Sequence, residues 1–404
     1  MRVRVSIAIV LVSAALAAQD QRLDYTQWRG VNRDGSASAF SEPRAWPGQL
    51  TRRWKVEVGE GYATPILSGS VVYVFTRRDG NEGITALDAA TGRARWRSSY
   101  AAPYAPSQPA AAHGAGPKAT PLLHRGTLFT LGISGIVTAF DATTGARVWQ
   151  TAPPAEPPYF SAASSPVADG QLVMVHPGNY GPLTAFDASS GAVVWTAGDG
   201  GFFASPIVVS LNGVRQVVTL TQSAVIGISL PAGKVLWRYP LSGANGGGPT
   251  PVVAEDAIIF SVGQGTIAVK PTLRDGTWSI QEVWQTKDVS MYISTPVVVG
   301  NTLFGLSTRS SGQFYAVDTR SGDTLWLGPP RQAANTALVK AGQLLFYLND
   351  DAQLIVAPSS RTRFEPMKRY IVADSATWAQ PLISGNRIFV KDVSSLTLWT
   401  VNPN

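Results

Sequence analysis

The stretch from Ile84 to Trp96, ITALDAATGRARW, returns along the chain with little change. Val137 to Trp149 reads VTAFDATTGARVW, Leu183 to Trp195 LTAFDASSGAVVW, and Phe314 to Trp326 FYAVDTRSGDTLW. Weaker copies run from Val225 to Trp237 and from Thr266 to Trp284, the last with an insertion after Lys270. Successive tryptophans lie 53, 46, 42, 47 and 42 residues apart. A period near 45, carried by short apolar runs between turn residues, is the signature of a β-propeller or a related array.

Each unit divides into four short strands. In the first, Thr64-Pro65 opens a run at Ile66, a second strand spans Val71 to Thr76, and a turn occupies Arg77 to Gly83. A third strand, Ile84 to Leu87, precedes the turn at Asp88, and a fourth carries Trp96. Asp88, Asp141, Asp187 and Asp318 stand four residues before Gly92, Gly145, Gly191 and Gly322. An aspartate there can accept hydrogen bonds from its own turn while the glycine takes positive φ. Trp96, Trp149, Trp195, Trp237, Trp284 and Trp326 then offer a large apolar face suited to wedging between blades.

A small residue followed by proline marks six units, at Pro65, Pro121, Pro166, Pro206, Pro251 and Pro296; Ala337 holds the equivalent place in a seventh, and Pro381 starts an eighth. The eighth unit stops one strand short, and a spare strand around Trp54 stands at the other end. This predicts an all-β, eight-bladed propeller of four-stranded antiparallel blades, its ring closed by the N-terminal strand so that no edge stays open. An outer-membrane barrel is rejected, because Ile258 to Phe260 and Val297 to Val299 are too short and are apolar on both faces.

Residues 1–17 read as a cleaved signal peptide: Arg2 and Arg4, the apolar run Val5 to Leu16, and a small-residue site at Ala15 to Ala17. Residues 18–50 form a lead-in segment, and 51–404 the propeller. The expectation is a soluble monomer, periplasmic or secreted, with no transmembrane segment. Cysteine is absent, so the fold needs no disulfide and no lipid-bearing thiol is offered. Net charge is +7, but the arginines and lysines are scattered, and a nucleic-acid surface is not expected.

The unit A-x-D-x-x-T/S-G-x-x-x-W resembles the PQQ-like β-propeller repeat of the quinoprotein alcohol dehydrogenases and the BamB type of assembly lipoprotein. The run Trp28-Arg29-Gly30-Val31-Asn32-Arg33-Asp34-Gly35 is similar to the W-x-G-x-N-x-x-G lead-in of exported members. For a dehydrogenase the resemblance implies a quinone (PQQ), a calcium ion, an aspartate base, a stacked tryptophan and a disulfide of adjacent cysteines. The cysteines are missing. The one acidic cluster inside the repeats, Asn349-Asp350-Asp351, falls where a hairpin turns. No catalytic residue, metal site or cofactor is therefore assigned. His113, His124 and His176 are too dispersed for zinc, and Asn245 to Gly248 precedes no helix that would make it a phosphate cradle.

Tyr62, Phe203 and Trp378 each stand three residues before the unit's proline, and Tyr292 four before. Phe202 and the pair Tyr159-Phe160 belong with them. Loops leading into the innermost strands of a propeller gather at one channel mouth. These aromatics are either a binding site for a protein, peptide or glycan, or plugs of the channel. The expected function is a non-catalytic binding scaffold, with a quinone-dependent oxidation of alcohols or sugars as the alternative.

Overall fold

A computed structural model describes residues 24–201, 203–242 and 248–401. The signal-peptide segment, Phe202 and Asn245 to Gly247 lie outside the described residues. The chain forms eight four-stranded antiparallel sheets, seven of which are sequential. The eighth consists of Leu382–Ser384, Arg387–Lys391 and Ser395–Thr400 with Thr51–Glu57 on its outer edge. Trp54 faces Leu398 across that closing pair, and Val56 faces Leu396.

Each blade is buried on both faces, which is why its middle strands lack polar alternation. Val72, Tyr73, Val74 and Phe75 are all inaccessible or nearly so. Ile66, Tyr73, Ile84 and Ala86 of blade one meet Leu128, Ile136 and Phe140 of blade two in a single cluster. Tyr25 and Leu67 join Phe389 and Leu398 across the closing seam. Burial of such side chains is worth about 1.5–3 kcal/mol each, and the ring repeats that packing at every blade interface.

The outer turns are built from local bonds. Asp88 Oδ1 accepts the N–H of Ala90 (3.2 Å) and of Thr91 (3.0 Å) and the Thr91 hydroxyl (2.9 Å), while Gly92 N–H bonds back to the Asp88 carbonyl. Asp141, Asp187 and Asp318 repeat the backbone part of this pattern. The preceding blade's tryptophan lies on the next blade's turn glycine. A Cβ on Gly145 would fall 2.5 Å from the Trp96 ring, and one on Gly191 2.6 Å from Trp149. The indole N–H then caps a carbonyl of that turn: Trp54 to Ala89, Trp149 to Ala188, Trp195 to Leu230, Trp284 to Thr319 and Trp326 to Ser360. Trp237 departs from this and donates to Gln216 Oε1 at 2.6 Å. The fifth blade has no turn at that place to receive it, because its insertion prolongs the hairpin Gly265–Arg274 and Thr277–Thr286.

One hairpin differs from the expectation. Blade one's second strand continues to Arg78 and the third resumes at Asn81, so the turn is Asp79-Gly80 alone. Both residues hold positive φ, 48° and 77°, the geometry of the two-residue hairpin turn that keeps flanking strands paired.

Candidate functional site

The residue before each unit's proline has a structural task. As the chain enters an inner strand its N–H is not yet in a ladder and needs an acceptor. The hydroxyl of the next blade supplies it. Gln380 N–H bonds Thr64 Oγ1 (3.0 Å), Thr64 bonds Thr120 (3.3 Å), Thr120 bonds Ser165 (3.0 Å), Ser165 bonds Ser205 (2.9 Å), Ser205 bonds Thr250 (2.9 Å), and Thr250 bonds Thr295 (3.2 Å). This girdle changes hands at blade seven, the unit with Ala337 in place of proline. There Thr336 N–H turns to Ser294 Oγ, whose hydroxyl donates to Asn335 Oδ1.

Inside the girdle runs the lead-in. Tyr25 pairs with Leu67 of blade one, Thr26 accepts Leu123 N–H of blade two, and Ala37 and Ser38 bond Lys340 and Ile383 of blades seven and eight. Arg33 donates to the carbonyls of Ser165 (2.6 Å), Pro166 (3.0 Å) and Pro206 (2.8 Å), and Arg29 to those of Thr295 (3.3 Å) and Pro296 (2.7 Å). Burial pushes Arg29 down to about 10 and Arg33 to about 9, so both stay charged at neutral pH. Burial works against the Asp34 carboxylate, but Lys340 at 2.9 Å holds it below its usual range. The motif's glycines follow from the crowding. Gly30 and Gly35 take φ of 81° and 82°, and a Cβ would meet the Ser36 carbonyl or Val297 at 2.7 Å. The lead-in thus corks the channel.

Above the cork lies a cavity of about 590 Å³. Its floor is Trp28, whose ring lies 5.5 Å from the Arg29 guanidinium and 5.6 Å from that of Arg33. Tyr62, Phe203, Tyr292 and Trp378 all line it, together with Phe160. Tyr62 and Trp378 sit 6.3 Å apart, and Phe160 meets Phe203 edge-on at 6.4 Å. Tyr62, Phe203 and Trp378 are half-buried, whereas Tyr292 is 57% exposed. Tyr159 stays outside, edge-on to Phe160. The girdle hydroxyls Ser165, Ser205, Thr250 and Thr295 form a polar band in the wall.

Two lining residues with titratable nitrogen, among others, escaped the sequence reading as site residues. His113 packs edge-on against Trp378 at 4.6 Å, and Lys118 borders the same space. Both ride on the loop between blades one and two, which contains the short helix Gln108–His113. The signal was the longest tryptophan interval, 53 residues. Burial, and then the Lys118 charge, lowers His113, and burial alone lowers Lys118 to about 8.

The other histidines lie elsewhere. His124 bonds the Gly170 carbonyl, and His176 is enclosed between Gly181 and Thr219, where burial drives it to about 4. Asp350 and Asp351 accept the N–H groups of Asn335 and Gln353. Glu82, raised to about 7 by burial, bonds Ile133 N–H and the Tyr100 hydroxyl away from the cavity. Among the described residues, those lining the cavity include no carboxylate. Among the described residues no group of three acidic, histidine or cysteine side chains is placed to hold a metal. A calcium-bound quinone needs carboxylate oxygens beside its stacking surface; this cavity has the aromatic surface and lacks the acid, so the group does not fit.

The model of the family described as outer membrane protein assembly factor BamB matches residues 51–157 and 80–327. BamB from Moraxella catarrhalis is 16% identical, aligns over 88% of this chain and 98% of its own, and superposes with a TM-score of 0.63. The quinohemoprotein alcohol dehydrogenase from Comamonas testosteroni is 13% identical, with 96% and 82% covered and a TM-score of 0.64. A computationally designed protein, Ika8, is 11% identical over 85% and 98%, with a TM-score of 0.60. No curated protein matches in sequence. At these identities the solved structures speak for the fold alone.

Proposed function

This chain belongs to the family of the outer membrane protein assembly factor BamB, and from that premise we propose that it is an exported, non-catalytic scaffold that receives part of an extended partner in the cavity above the corked channel. One observation carries the reading. Aromatic side chains from loops of separate blades converge on a cavity that Trp28 of the lead-in also lines, and among the described residues its lining holds no carboxylate. Stacking surfaces with a few polar groups fix a ligand, while acid–base or metal chemistry would require a positioned acid. Membership of a fold family does not decide the ligand. Among the described residues no helix is long and apolar enough to cross a membrane, and export rests on the N-terminal charged and apolar pattern.

Intrinsic tryptophan fluorescence, titrated with a panel of linear oligosaccharides and of peptides, tests this. Trp378→Ala should abolish or weaken binding at least tenfold while lowering the melting temperature little, because the side chain is half-buried at the mouth. A variant that melts far lower yet binds unchanged would make these residues structural plugs. Dye reduction by protein loaded with quinone and calcium would replace the scaffold by an oxidoreductase.

A further inference from the structure

Resting on the reading of the cavity as the binding face, we infer that its ligand is an acidic sugar residue, a hexuronate within an oligosaccharide, whose carboxylate pairs with Lys118. Among the described residues Lys118 is the one formally charged side chain in the lining. Four other lysines have counter-charges or carbonyls: Lys55 has Asp374, Lys270 has Asp256, Lys340 has Asp34, and Lys391 is held by the carbonyls of Asp392 and Val393; Lys234 and Lys287 are exposed to water. Lys118 has no ion pair among the described residues. Lys118 is partly withdrawn from water; a cation so placed without a partner carries a desolvation cost, and an incoming carboxylate relieves it. A single ammonium suits a monoanion; phosphate groups are more often met by several donors or by arginine forks.

The rest of the wall favours a sugar over a peptide. The hydroxyls of Ser165, Ser205, Thr250 and Thr295 already accept the neighbouring blade's N–H groups, which leaves their protons to donate to ring and hydroxyl oxygens. Those same bonds consume the backbone N–H groups that an extended peptide would need for main-chain pairing. Trp378, Tyr62 and Tyr292 supply flat faces for the C–H side of a pyranose, and about 590 Å³ lies within the usual 300–1,000 Å³ of small-ligand sites. Ser161, beside Phe160 in the wall, is held at φ 135°. A non-glycine residue in that region is strained, and such strain gathers at ligand-binding positions.

The test uses the full chain and calorimetry. Tetrauronates of α-1,4 and β-1,4 linkage are each compared with their methyl esters, which keep the rings and linkage but lose the charge. At least one acid should bind tenfold or more tightly than its ester at low salt, with the gap narrowing as salt rises. Lys118→Met should bring acid and ester to parity without weakening the ester, and Lys118→Arg should restore the preference. Trp378→Ala should weaken both. Equal affinity of acid and ester in the unaltered protein, or a preference that survives Lys118→Met, overturns the inference. If neither sugar binds while peptides of the panel still quench the tryptophans, the sugar inference falls and the loop-face reading stands. Silence from every ligand removes both.

Discussion

The rim and the channel of this propeller are held in opposite ways. At the rim, Asp88, Thr91 and Gly92 close a turn with partners inside five consecutive residues, and one tryptophan from the neighbouring blade covers it. In the channel, Arg33 bonds residues 132 to 173 positions away, and Arg29 reaches 266 to 267. The rim is modular: each staple joins two blades through contacts of its own. The channel is shared, because one short segment satisfies carbonyls of several blades at once.

Arg33→Met breaks the comparison most severely. It strips donors from the buried carbonyls of Ser165, Pro166 and Pro206, and should cost about 3–5 kcal/mol, read as a fall in the urea midpoint. A loss under about 1 kcal/mol would show the cork to be filler. Trp195→Ala comes next. It removes a side chain that is 8% exposed and the bond to the Leu230 carbonyl, with an expected cost of about 3 kcal/mol. Hydrogen exchange should then rise only between blades three and four; protection lost around the whole ring would contradict the modular rim. The smallest effect is at Asp88. Arg95, and then the Thr91 hydroxyl, depress its carboxyl to about 2 in the fold, against about 3.9 unfolded. Its stabilisation is therefore complete above pH 4 and lost as pH falls through 2. Solvent screening at this exposed turn limits it to a few tenths of a kcal/mol. Asp88→Asn should flatten the acid limb of the melting curve by that little, and a steep change would mean the turn is coupled to more than its own blade.

The same contrast explains what could be read before the fold was known. The aspartate turns, glycines and tryptophans recur because their physics is local, so blade number and closure were legible from spacing. The aromatic set was legible too, since Tyr62, Phe203 and Trp378 stand three residues before a repeated proline and Tyr292 four before, and all four line the cavity. Lys118 and His113 have no copies in other units, and nothing in their own loop reveals that Trp378, more than 250 residues later, lies beside them. The lead-in showed two glycines and two arginines, but that the arginines turn inward depends on carbonyls which exist only once the ring is built. Trp237 shows the limit from the other side: its motif position is regular, and its partner differs because the following blade lost its turn.

The pairing of Thr51–Glu57 with Ser395–Thr400 has a consequence in time. A chain made from its N-terminus at about 5–20 residues per second holds its first strand idle for roughly 20–70 s before the strand's partner exists. Seven blades can collapse as they emerge, since their strands are sequential neighbours, while the clasp waits for the longest loop in the molecule to close. Until then the cork has no complete ring to fill, and blade one's outer neighbour is missing. Completion is thus governed by the arrival of the last strand. The interval before it arrives is when this protein has an unpaired edge to protect from other chains.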